Sequence, residues 1–290
     1  MADLHGKVAL VTGAARGQGR SHALALAEAG ADIIALDICR QIDSAPYALS
    51  TSEDLAETAA QIEALGRRVL TAECDTRDSA GLNKVVADGI AEFGKIDISI
   101  ANAGIWALGN LWELTDDQWD DVIGTNLSGV WRTVKAVVPS MIDNHGGSIV
   151  LACSVNGFEA GGGMTHYVAA KHGVLGLMRN AALELGRFNI RCNAVCPGIV
   201  DTKMNDWQGA YDMMAGGPGG TPEDRRTAAY NWSALAGRGL LAPSSISKAV
   251  LWLASDDASD VTGVALPVDG GHSILPGVNP DPVMAVAHPA

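Results

Sequence analysis

Two side chains that can transfer or steer a proton lie four residues apart in this sequence. Tyr167 and Lys171 open a long helical pattern that runs to about Gly186. Residues at positions i and i+4 share one face of a helix, so the phenol and the ammonium point the same way. A free tyrosine titrates near ~10, and a neighbouring cation favours the phenolate. We therefore expect Lys171 to bring the pKa of Tyr167 toward neutral pH, where a general acid or base works best.

A third polar group, the hydroxyl of Ser154, lies thirteen residues before the tyrosine. It directly follows the apolar run 148–153, which the sequence predicts to be a buried strand. A strand that ends facing the start of a helix would bring the hydroxyl, the phenol and the ammonium together. A tyrosine four residues before a lysine is most often an ordinary surface pair, so the catalytic interpretation depends on the rest of the chain.

A glycine-rich turn joins the first predicted strand, 7–12, to an alanine-rich helix predicted over about 20–29. A second buried strand follows. Glycines let the backbone approach a pyrophosphate, and the N–H groups of a helix N-terminus bind it, so this unit is typical of a nucleotide site. A plain turn is the alternative. The residues assigned to the site from this turn are Gly13, Arg16, Gly17, Gln18 and Gly19.

Asp37 ends the second predicted strand. A carboxylate there accepts hydrogen bonds from the adenosine ribose and repels a 2′-phosphate, which selects NAD over NADP. Arg16 is a basic residue that would favour the phosphate, but a carboxylate beside the 2′ position is hard to offset. The alternative for Asp37 is a turn residue that contacts no ligand.

Later strands also end in small or polar residues. Asp75 follows the predicted strand 67–74 and is placed to meet the adenine amino group. The segment 197–202 follows the predicted strand 191–196 and should reach the nicotinamide. Asn126 is an amide inside an apolar helical stretch, and it is either structural or mechanistic. The other residues assigned to the cofactor at these strand ends are Asn102, Ala103, Gly104, Pro197 and Gly198.

Strands alternate with helices along the chain, without repeat or linker. This pattern predicts a single α/β domain over 1–290, a Rossmann fold whose doubly wound parallel sheet is flanked by helices. Residues 38–52 are long for a strand–helix connection, and either fold over the cofactor or form a surface insertion. Residues 203–236 combine aromatic and methionine side chains with a glycine-rich stretch, which predicts a mobile substrate lid rather than a surface excursion. The tail, about 272–290, either packs on a neighbouring subunit or is loose.

The composition excludes several classes of protein. A net charge of −13 argues against nucleic acid and anionic membranes as partners. Five scattered cysteines without paired spacing predict reduced thiols in the cytoplasm. The N-terminus does not read as a signal peptide, no apolar run reaches a membrane span, and no metal site is predicted.

The motifs together resemble the short-chain dehydrogenase/reductases over about Lys7 to Gly271. Within that family the chain is similar to the NAD-dependent carveol-dehydrogenase-type members of actinobacteria, through Gly-Gln-Gly, the run 35–40 and the extra loop after it. The residues that carry the family resemblance are the glycine turn, Asn102–Gly104, Asn126, Ser154, Tyr167, Lys171, Pro197, Gly198 and Thr202.

The resemblance implies a mechanism. Tyr167 takes the alcohol proton as NAD⁺ takes the hydride, or donates it in reduction. Lys171 lowers the pKa of Tyr167 and holds the nicotinamide ribose, Ser154 binds the substrate oxygen, and Asn126 holds a water linked to Lys171. The same resemblance assigns Thr76, Val200 and Thr202 to the cofactor, the last two at the carboxamide.

The resemblance also implies partners. It predicts a homotetramer, tightly retained NAD and an external redox carrier, the peptide-derived mycofactocin. The substrate is expected to be an apolar secondary alcohol or ketone such as carveol or another cyclic terpenoid alcohol. Two other functions stay open: a 3-oxoacyl-[acyl-carrier-protein] reductase, against which Asp37 and the acidic charge speak, and a non-catalytic NAD-binding sensor, which would be expected to lack Tyr167 or Lys171.

Overall fold

A computed structural model describes residues 2–279 and 281–285 of the protein. Within them, seven strands form one sheet in the order β3-β2-β1-β4-β5-β6-β7, and every neighbouring pair is parallel. The strands are β1 (Val8–Thr12), β2 (Asp32–Asp37), β3 (Val69–Glu73), β4 (Ile98–Ala101), β5 (Gly147–Ala152), β6 (Ile190–Pro197) and β7 (Ala265–Val268). The predicted doubly wound parallel sheet is confirmed.

The longer helices connect these strands and cover both faces of the sheet. They are α1 (Gly17–Glu28), α2 (Ser52–Ala64), α3 (Ser79–Phe93), α4 (Asp116–Ile123), α5 (Gly129–Asp143), α6 (Thr165–Leu185), α7 (Gln208–Ala215), α8 (Pro222–Ala228) and α9 (Pro243–Ala254). Helices α3, α5 and α6 pack their apolar side chains on one face, and α1, α2 and α9 pack on the other.

The alternation of side chains along the strands builds the two cores. In β1, Leu10 contributes to the core under α3, α5 and α6, whereas Ala9 and Val11 contribute to the core under α1, α2 and α9. Successive strand residues point to opposite faces, so a strand buried on both sides is apolar at every position. This is why the predicted strands are continuous apolar runs rather than alternating ones.

The order of the strands places a crevice beside β1 and β4. The chain winds outward from β1 through β2 to β3, and then returns to the other side of β1 with β4. Ligands of open parallel sheets bind outside the carboxyl ends of the strands at such a reversal. The predicted site residues follow the carboxyl ends of β1, β2, β3, β4, β5 and β6, so the topology gathers them at one edge.

The helix predicted around Asn126 differs from a regular α-helix. Helices α4 and α5 are joined by a π-helical turn, Gly124–Ser128, which contains Asn126. Single π-helical turns inside α-helices are rare, and those that occur are often found at functional sites. Helix α1 begins at Gly17 rather than near residue 20, so Gly17, Gln18 and Gly19 lie in its first turn.

The predicted lid, 203–236, contains α7 and α8 with a glycine-rich turn between them. The described part of the tail packs against this segment of the same chain. Asn279 donates its backbone N–H to the Asn231 carbonyl at 2.7 Å and its side-chain amide to the Ser233 carbonyl at 2.8 Å. Residue 280 and residues 286–290 of the predicted tail lie outside the described residues. Across the described ranges, none of the helices combines the length and the apolar character needed to span a bilayer.

Candidate active site

Two adjoining cavities lie at the carboxyl edge of the sheet. We call the first the cofactor cleft; it runs along the ends of β1, β2, β3 and β4. The second, the substrate cavity, lies beside the ends of β5 and β6 and has a volume of about 350 Å³, which suits a small organic molecule. Gln18, Thr202 and Met204 line both, so the cavities meet there.

Seventeen of the nineteen residues predicted for the site line one of these cavities. The cleft is lined by Gly13, Arg16, Gly17, Gln18, Gly19, Asp37, Asp75, Thr76, Asn102, Ala103, Gly104 and Thr202. The substrate cavity is lined by Ser154, Tyr167, Pro197, Gly198 and Val200, and by Gln18 and Thr202 from its other side. Asn126 and Lys171 are buried behind them, with 0% and 4% exposure.

The glycine turn fits a pyrophosphate. A Cβ at Gly19 would come within 1.9 Å of the Gly13 carbonyl oxygen, so only glycine allows this close packing. No side chain caps the N-terminus of α1, whereas Thr51 and Thr115 cap α2 and α4 with their hydroxyls. The first-turn N–H groups of α1 therefore remain available to an anion in the cleft.

Thr12 holds the polar end of β4 against the end of β1. Its hydroxyl accepts the backbone N–H groups of Asn102 and Ala103, each at 2.9 Å, and the Asn102 amide donates to the Thr12 carbonyl at 3.0 Å. These bonds fix the small residues of the Asn102–Gly104 segment along the floor of the cleft.

The carboxylate of Asp37 is fixed by three donors. Its oxygens accept the N–H groups of Ala15 at 2.9 Å and Ile38 at 2.8 Å, and the hydroxyl of Ser50 at 2.5 Å. A carboxylate has about four acceptor positions, so one remains for a ribose hydroxyl. Ser50 belongs to the long loop after β2, and nothing in its sequence context marked it for this contact.

Asp75 lies in the cleft but is strongly engaged by arginines. Its oxygens accept Arg77 Nε at 3.0 Å and Nη2 at 2.8 Å, and Arg40 Nη2 at 3.1 Å. Burial acts to raise the pKa of Asp75, but the bonds from Arg77 outweigh it and hold that pKa below its usual value. From the sequence we expected Asp75 to meet the adenine amino group, and we did not predict its bonds to these arginines. The arginines occupy most of the hydrogen-bond acceptor positions of the Asp75 carboxylate.

Ser154 and Tyr167 face the substrate cavity together, from the end of β5 and the first turn of α6. Ser154 caps a short 3₁₀ turn through the Asn156 N–H at 3.2 Å, which fixes its side chain. Lys171 lies one helical turn beyond Tyr167, donates to the Ala152 carbonyl at 2.8 Å, and has its Nζ 5.4 Å from the Tyr167 ring centre. The end of β5 and the start of α6 thus bring the three groups together.

The expected lowering of the Tyr167 pKa is wrong for the protein without a cofactor. Burial raises the pKa of Tyr167 to about 12, and the adjacent Ser154 hydroxyl opposes this rise. Burial also lowers the pKa of Lys171. The ammonium is bonded to a carbonyl oxygen and lies beside the ring, so the phenolate gains less from it than the four-residue spacing suggested.

The side-chain amide of Asn126 bonds the backbone on both sides of Ile105. Its oxygen accepts the Ile105 N–H at 2.9 Å and its nitrogen donates to the Ile105 carbonyl at 2.7 Å. The amide is therefore a structural tie between the π-helical turn and the segment after β4. One N–H and one oxygen lone pair of the Asn126 amide remain for the predicted water.

An aromatic bridge crosses the junction of the two cavities; it consists of Tyr47, Trp106 and Trp207. The Tyr47 hydroxyl accepts the backbone N–H of Trp106 at 3.2 Å, and the Trp207 ring centre lies 5.4 Å from that of Trp106 and 6.3 Å from that of Tyr47. Tyr47 comes from the long loop after β2, Trp106 from the loop after β4, and Trp207 from the lid. Tyr47 lines the cofactor cleft, as do Leu49 and Ser50 of the same loop, and the aromatic bridge ties this loop to the other two segments.

The long loop is also tied to the glycine turn and to α4. Arg16 donates to the Ala48 carbonyl at 2.6 Å, and Ser44 donates to Asp121 at 2.7 Å. Arg16 therefore binds the loop. This contact gives the basic residue beside Gly17 a structural role that does not require a cofactor with a 2′-phosphate.

The lid is anchored by a buried arginine. Arg225 of α8 is 6% exposed and donates to the Asp201 carboxylate at 3.0 Å and to the Asn205 carbonyl at 3.1 Å. Because segment 200–205 lines the substrate cavity, Arg225 links the position of the lid to the cavity wall.

The fold, the glycine turn and the converging Ser154, Tyr167 and Lys171 define a dinucleotide-dependent oxidoreductase of the Rossmann class. The family model for short chain dehydrogenases matches residues 7–210. The chain therefore belongs to the short-chain dehydrogenase family.

Similar proteins agree with this assignment. An uncharacterized NAD-dependent oxidoreductase of Mycobacterium tuberculosis is 48% identical over 92% of this chain and 96% of its own length. (-)-trans-Carveol dehydrogenase of Rhodococcus erythropolis is 41% identical over 94% of this chain and 100% of its own. The crystal structure of a Mycobacterium avium carveol dehydrogenase in complex with NAD is 46% identical, with a TM-score of 0.92 and coverage of 95% of this chain and 100% of that one.

Proposed function

We propose that this protein is an NAD-dependent dehydrogenase of apolar secondary alcohols, such as carveol or another cyclic terpenoid alcohol, and of the matching ketones. The observation that carries the proposal is that Ser154 and Tyr167 line an apolar cavity that meets the cofactor cleft at Gln18 and Thr202. A carbinol beside these two hydroxyls would face a nicotinamide held at that junction, as hydride transfer requires.

The chain's own groups would position the alcohol and move its proton. Ser154 holds the carbinol oxygen, and Tyr167 accepts the proton in oxidation or donates it in reduction. Bound NAD supplies the hydride acceptor or donor, and the positive charge of its oxidised ring favours the phenolate. Positioned acid–base help of this kind is worth on the order of 10²–10⁴ in rate.

Asp37 and the aromatic bridge support the choice of NAD and its tight retention. The Asp37 carboxylate is held by three donors in the cleft, where a 2′-phosphate would be repelled by its negative charge. The long loop, the loop after β4 and the lid are joined by the aromatic bridge, so NAD would leave only if these contacts opened. A retained cofactor would need an external redox carrier such as mycofactocin, and a homotetramer in the cytoplasm remains part of the proposal.

One experiment tests the core of this proposal. The purified protein is denatured, the released nucleotide is identified, and the native protein is screened against secondary alcohols, including carveol, with an artificial electron acceptor. We expect NAD to be released and cyclic alcohols to be oxidised. Released NADP, or turnover only with 3-oxoacyl thioesters, would favour a ketoreductase, and NAD release without any turnover would favour a sensor.

A further inference from the structure

One carboxylate and one imidazole lie in the otherwise mainly apolar and amide-lined wall of the substrate cavity. They are Glu159, in the loop between β5 and α6, and His272, just after β7. Neither residue belongs to the group of Ser154, Tyr167 and Lys171, and the reaction proposed above gives them no role. A charged side chain in such a wall costs free energy unless it is compensated by a partner.

The two side chains are bonded to each other at the cavity wall. Glu159 Oε1 lies 2.7 Å from His272 Nε2. The imidazole stacks on the Trp232 ring, with centroids 4.9 Å apart and planes 16° apart. The pair therefore joins the β5–α6 loop, the lid and the segment after β7, and its geometry is fixed from three sides.

The carboxylate is the open end of this pair. The side chain of His272 is 7% exposed, whereas that of Glu159 is 35% exposed. An ionised carboxylate accepts about four hydrogen bonds, and a single bond, from His272, reaches Glu159 from the part of the chain that the structure describes. Its second oxygen is therefore available to a donor inside the cavity.

An ionised carboxylate can only accept hydrogen bonds, so the ligand group that binds its second oxygen must be a donor. Because the rest of the cavity wall is mainly apolar, an uncharged donor that makes this hydrogen bond suits the cavity better than a cation. A ligand hydroxyl supplies such a bond.

We propose that Glu159, held by His272, is a subsite for a second hydroxyl of the substrate. This inference rests on the proposed function, because the first hydroxyl is the carbinol at Ser154 and Tyr167. The substrate class becomes a largely apolar cyclic alcohol that carries another hydroxyl away from the reacting carbon. Glu159 is in this view a specificity residue that acts on binding and takes no part in proton or hydride transfer.

The test compares matched alcohols with one and two hydroxyls. The probes are cyclohexanol against 1,4-cyclohexanediol, and 4-cyclohexylcyclohexanol against bicyclohexyl-4,4′-diol, which place the second hydroxyl at two distances. For each pair we measure the ratio of kcat/KM values in the native protein, in Glu159→Leu and in Glu159→Gln. Glu63→Leu, at an exposed position of α2, is the control.

A binding measurement separates this inference from the proposed function. Dissociation constants of the same alcohols are determined by calorimetry on NADH-loaded protein, where an alcohol binds without being oxidised. Glu159→Gln keeps the size and one acceptor, so it serves as the conservative variant if Glu159→Leu does not fold.

We expect the native protein to prefer one diol over its matched mono-alcohol by about tenfold or more, as for a hydrogen bond to a charged group. Glu159→Leu should abolish the preference, Glu159→Gln should keep part of it, and the mono-alcohol and Glu63→Leu should show little change. Equal binding of mono-alcohol and diol by the native protein, or an equal loss for both in Glu159→Leu, would overturn the subsite. Binding without turnover of any alcohol would instead count against the proposed function.

Discussion

The Lys171 ammonium lies 5.4 Å from the centre of the Tyr167 ring and donates its hydrogen bond to the Ala152 carbonyl instead of the phenol oxygen. The two groups share one helical face, but without a hydrogen bond between them the lysine can affect the phenol only through space. The phenol can therefore keep its proton until a cofactor adds further positive charge. We therefore expect proton transfer from Tyr167 to depend on cofactor binding.

Replacing Tyr167 with phenylalanine removes the phenol oxygen and leaves the ring in its packing. We expect turnover of secondary alcohols to fall by at least 10²–10⁴, on the order of the contribution of a positioned acid or base. NAD binding should be retained, because the cleft is built from other residues. The measurements are steady-state rates and the amount of bound nucleotide. Substantial residual turnover would refute the assignment of Tyr167.

The pH dependence of the two directions should differ. Burial holds the pKa of Tyr167 at about 12 in the cofactor-free protein, so the phenol is protonated near neutral pH. Reduction needs the protonated form and should be nearly constant from about pH 6 to 8, whereas oxidation needs the phenolate and should rise with pH by up to about tenfold per unit. The measurement is kcat against pH in both directions with Lys171→Met alongside.

Loss of the ammonium in Lys171→Met should move the rise in oxidation to higher pH, since a cation that favours the phenolate is gone. An unchanged oxidation profile in that variant would show that Lys171 has no electrostatic effect on Tyr167. His172→Asn, at an exposed position of the same helix, is the control.

Much of this architecture could be read from the sequence because its signals are local. Apolar runs of five to eight residues marked the strands, and the four-residue spacing placed Tyr167 and Lys171 on one face. The capping box of Thr115 and Gln118 at the start of α4 is another local signal, since its two residues are three positions apart. The predicted family is confirmed by the matching family model, and the predicted Rossmann fold is confirmed by the similar crystal structure. That structure contains NAD, which agrees with the predicted cofactor.

Contacts between distant segments could not be read from local patterns. Ser50 bonds Asp37 from 13 positions away, and Arg40 bonds Asp75 from 35 positions away, because the folded loops bring these side chains together. The raised pKa of Tyr167 likewise depends on burial, which spacing along a helix does not reveal. The Glu159–His272 pair joins residues 113 positions apart, so no sequence window contains it.

The aromatic bridge gives a test of cofactor retention. Tyr47→Phe removes the hydroxyl that accepts the backbone N–H of Trp106 at 3.2 Å. The variant therefore leaves this buried N–H without its hydrogen-bond partner. Such a loss costs about 1–3 kcal/mol, so we expect NAD to dissociate several-fold to about a hundredfold faster. The measurement is displacement of bound NAD by excess labelled NAD, followed in time.

Tyr230→Phe is the matched control, because no hydrogen bond of the Tyr230 hydroxyl occurs among the described residues. Its NAD release should equal that of the native protein. Equal release rates in the native protein and Tyr47→Phe would mean that the bridge does not hold the cofactor.

Buried His22 should make the protein sensitive to acid. Burial lowers the pKa of His22 to about 3, whereas a free histidine titrates near ~6.5. Between these two pH values His22 is protonated in the unfolded chain but neutral in the folded protein. The free energy of unfolding is therefore highest above pH ~6.5, and it falls by about 1.4 kcal/mol for each unit by which the pH decreases. We expect His22→Asn to weaken this slope in urea unfolding between about pH 7 and 5.

His22 contacts the Ser247 hydroxyl through Nδ1 at 2.8 Å, and an asparagine at this position can still form a hydrogen bond to Ser247. The variant therefore removes the group that titrates while it can keep the hydrogen bond. His5→Asn, at an exposed position, should leave the slope unchanged. The same slope in His22→Asn as in the native protein would show that His22 is not the group that loses stability in acid.

The lid offers two neighbouring arginines with different surroundings. Arg225→Gln removes a buried guanidinium that bonds Asp201 and the Asn205 carbonyl, whereas Arg226→Gln removes an exposed one that pairs with Glu223. Loss of the buried anchor should free the lid and the cavity wall, so we expect KM for the alcohol to rise about tenfold or more with a smaller change in kcat. Arg226→Gln should change KM less than twofold, as exposed ion pairs contribute little. Steady-state kinetics with one alcohol check this, together with proteolysis of the segment 216–220, which should be faster in Arg225→Gln alone. Equal KM values for the two variants would mean that the lid does not depend on its buried arginine.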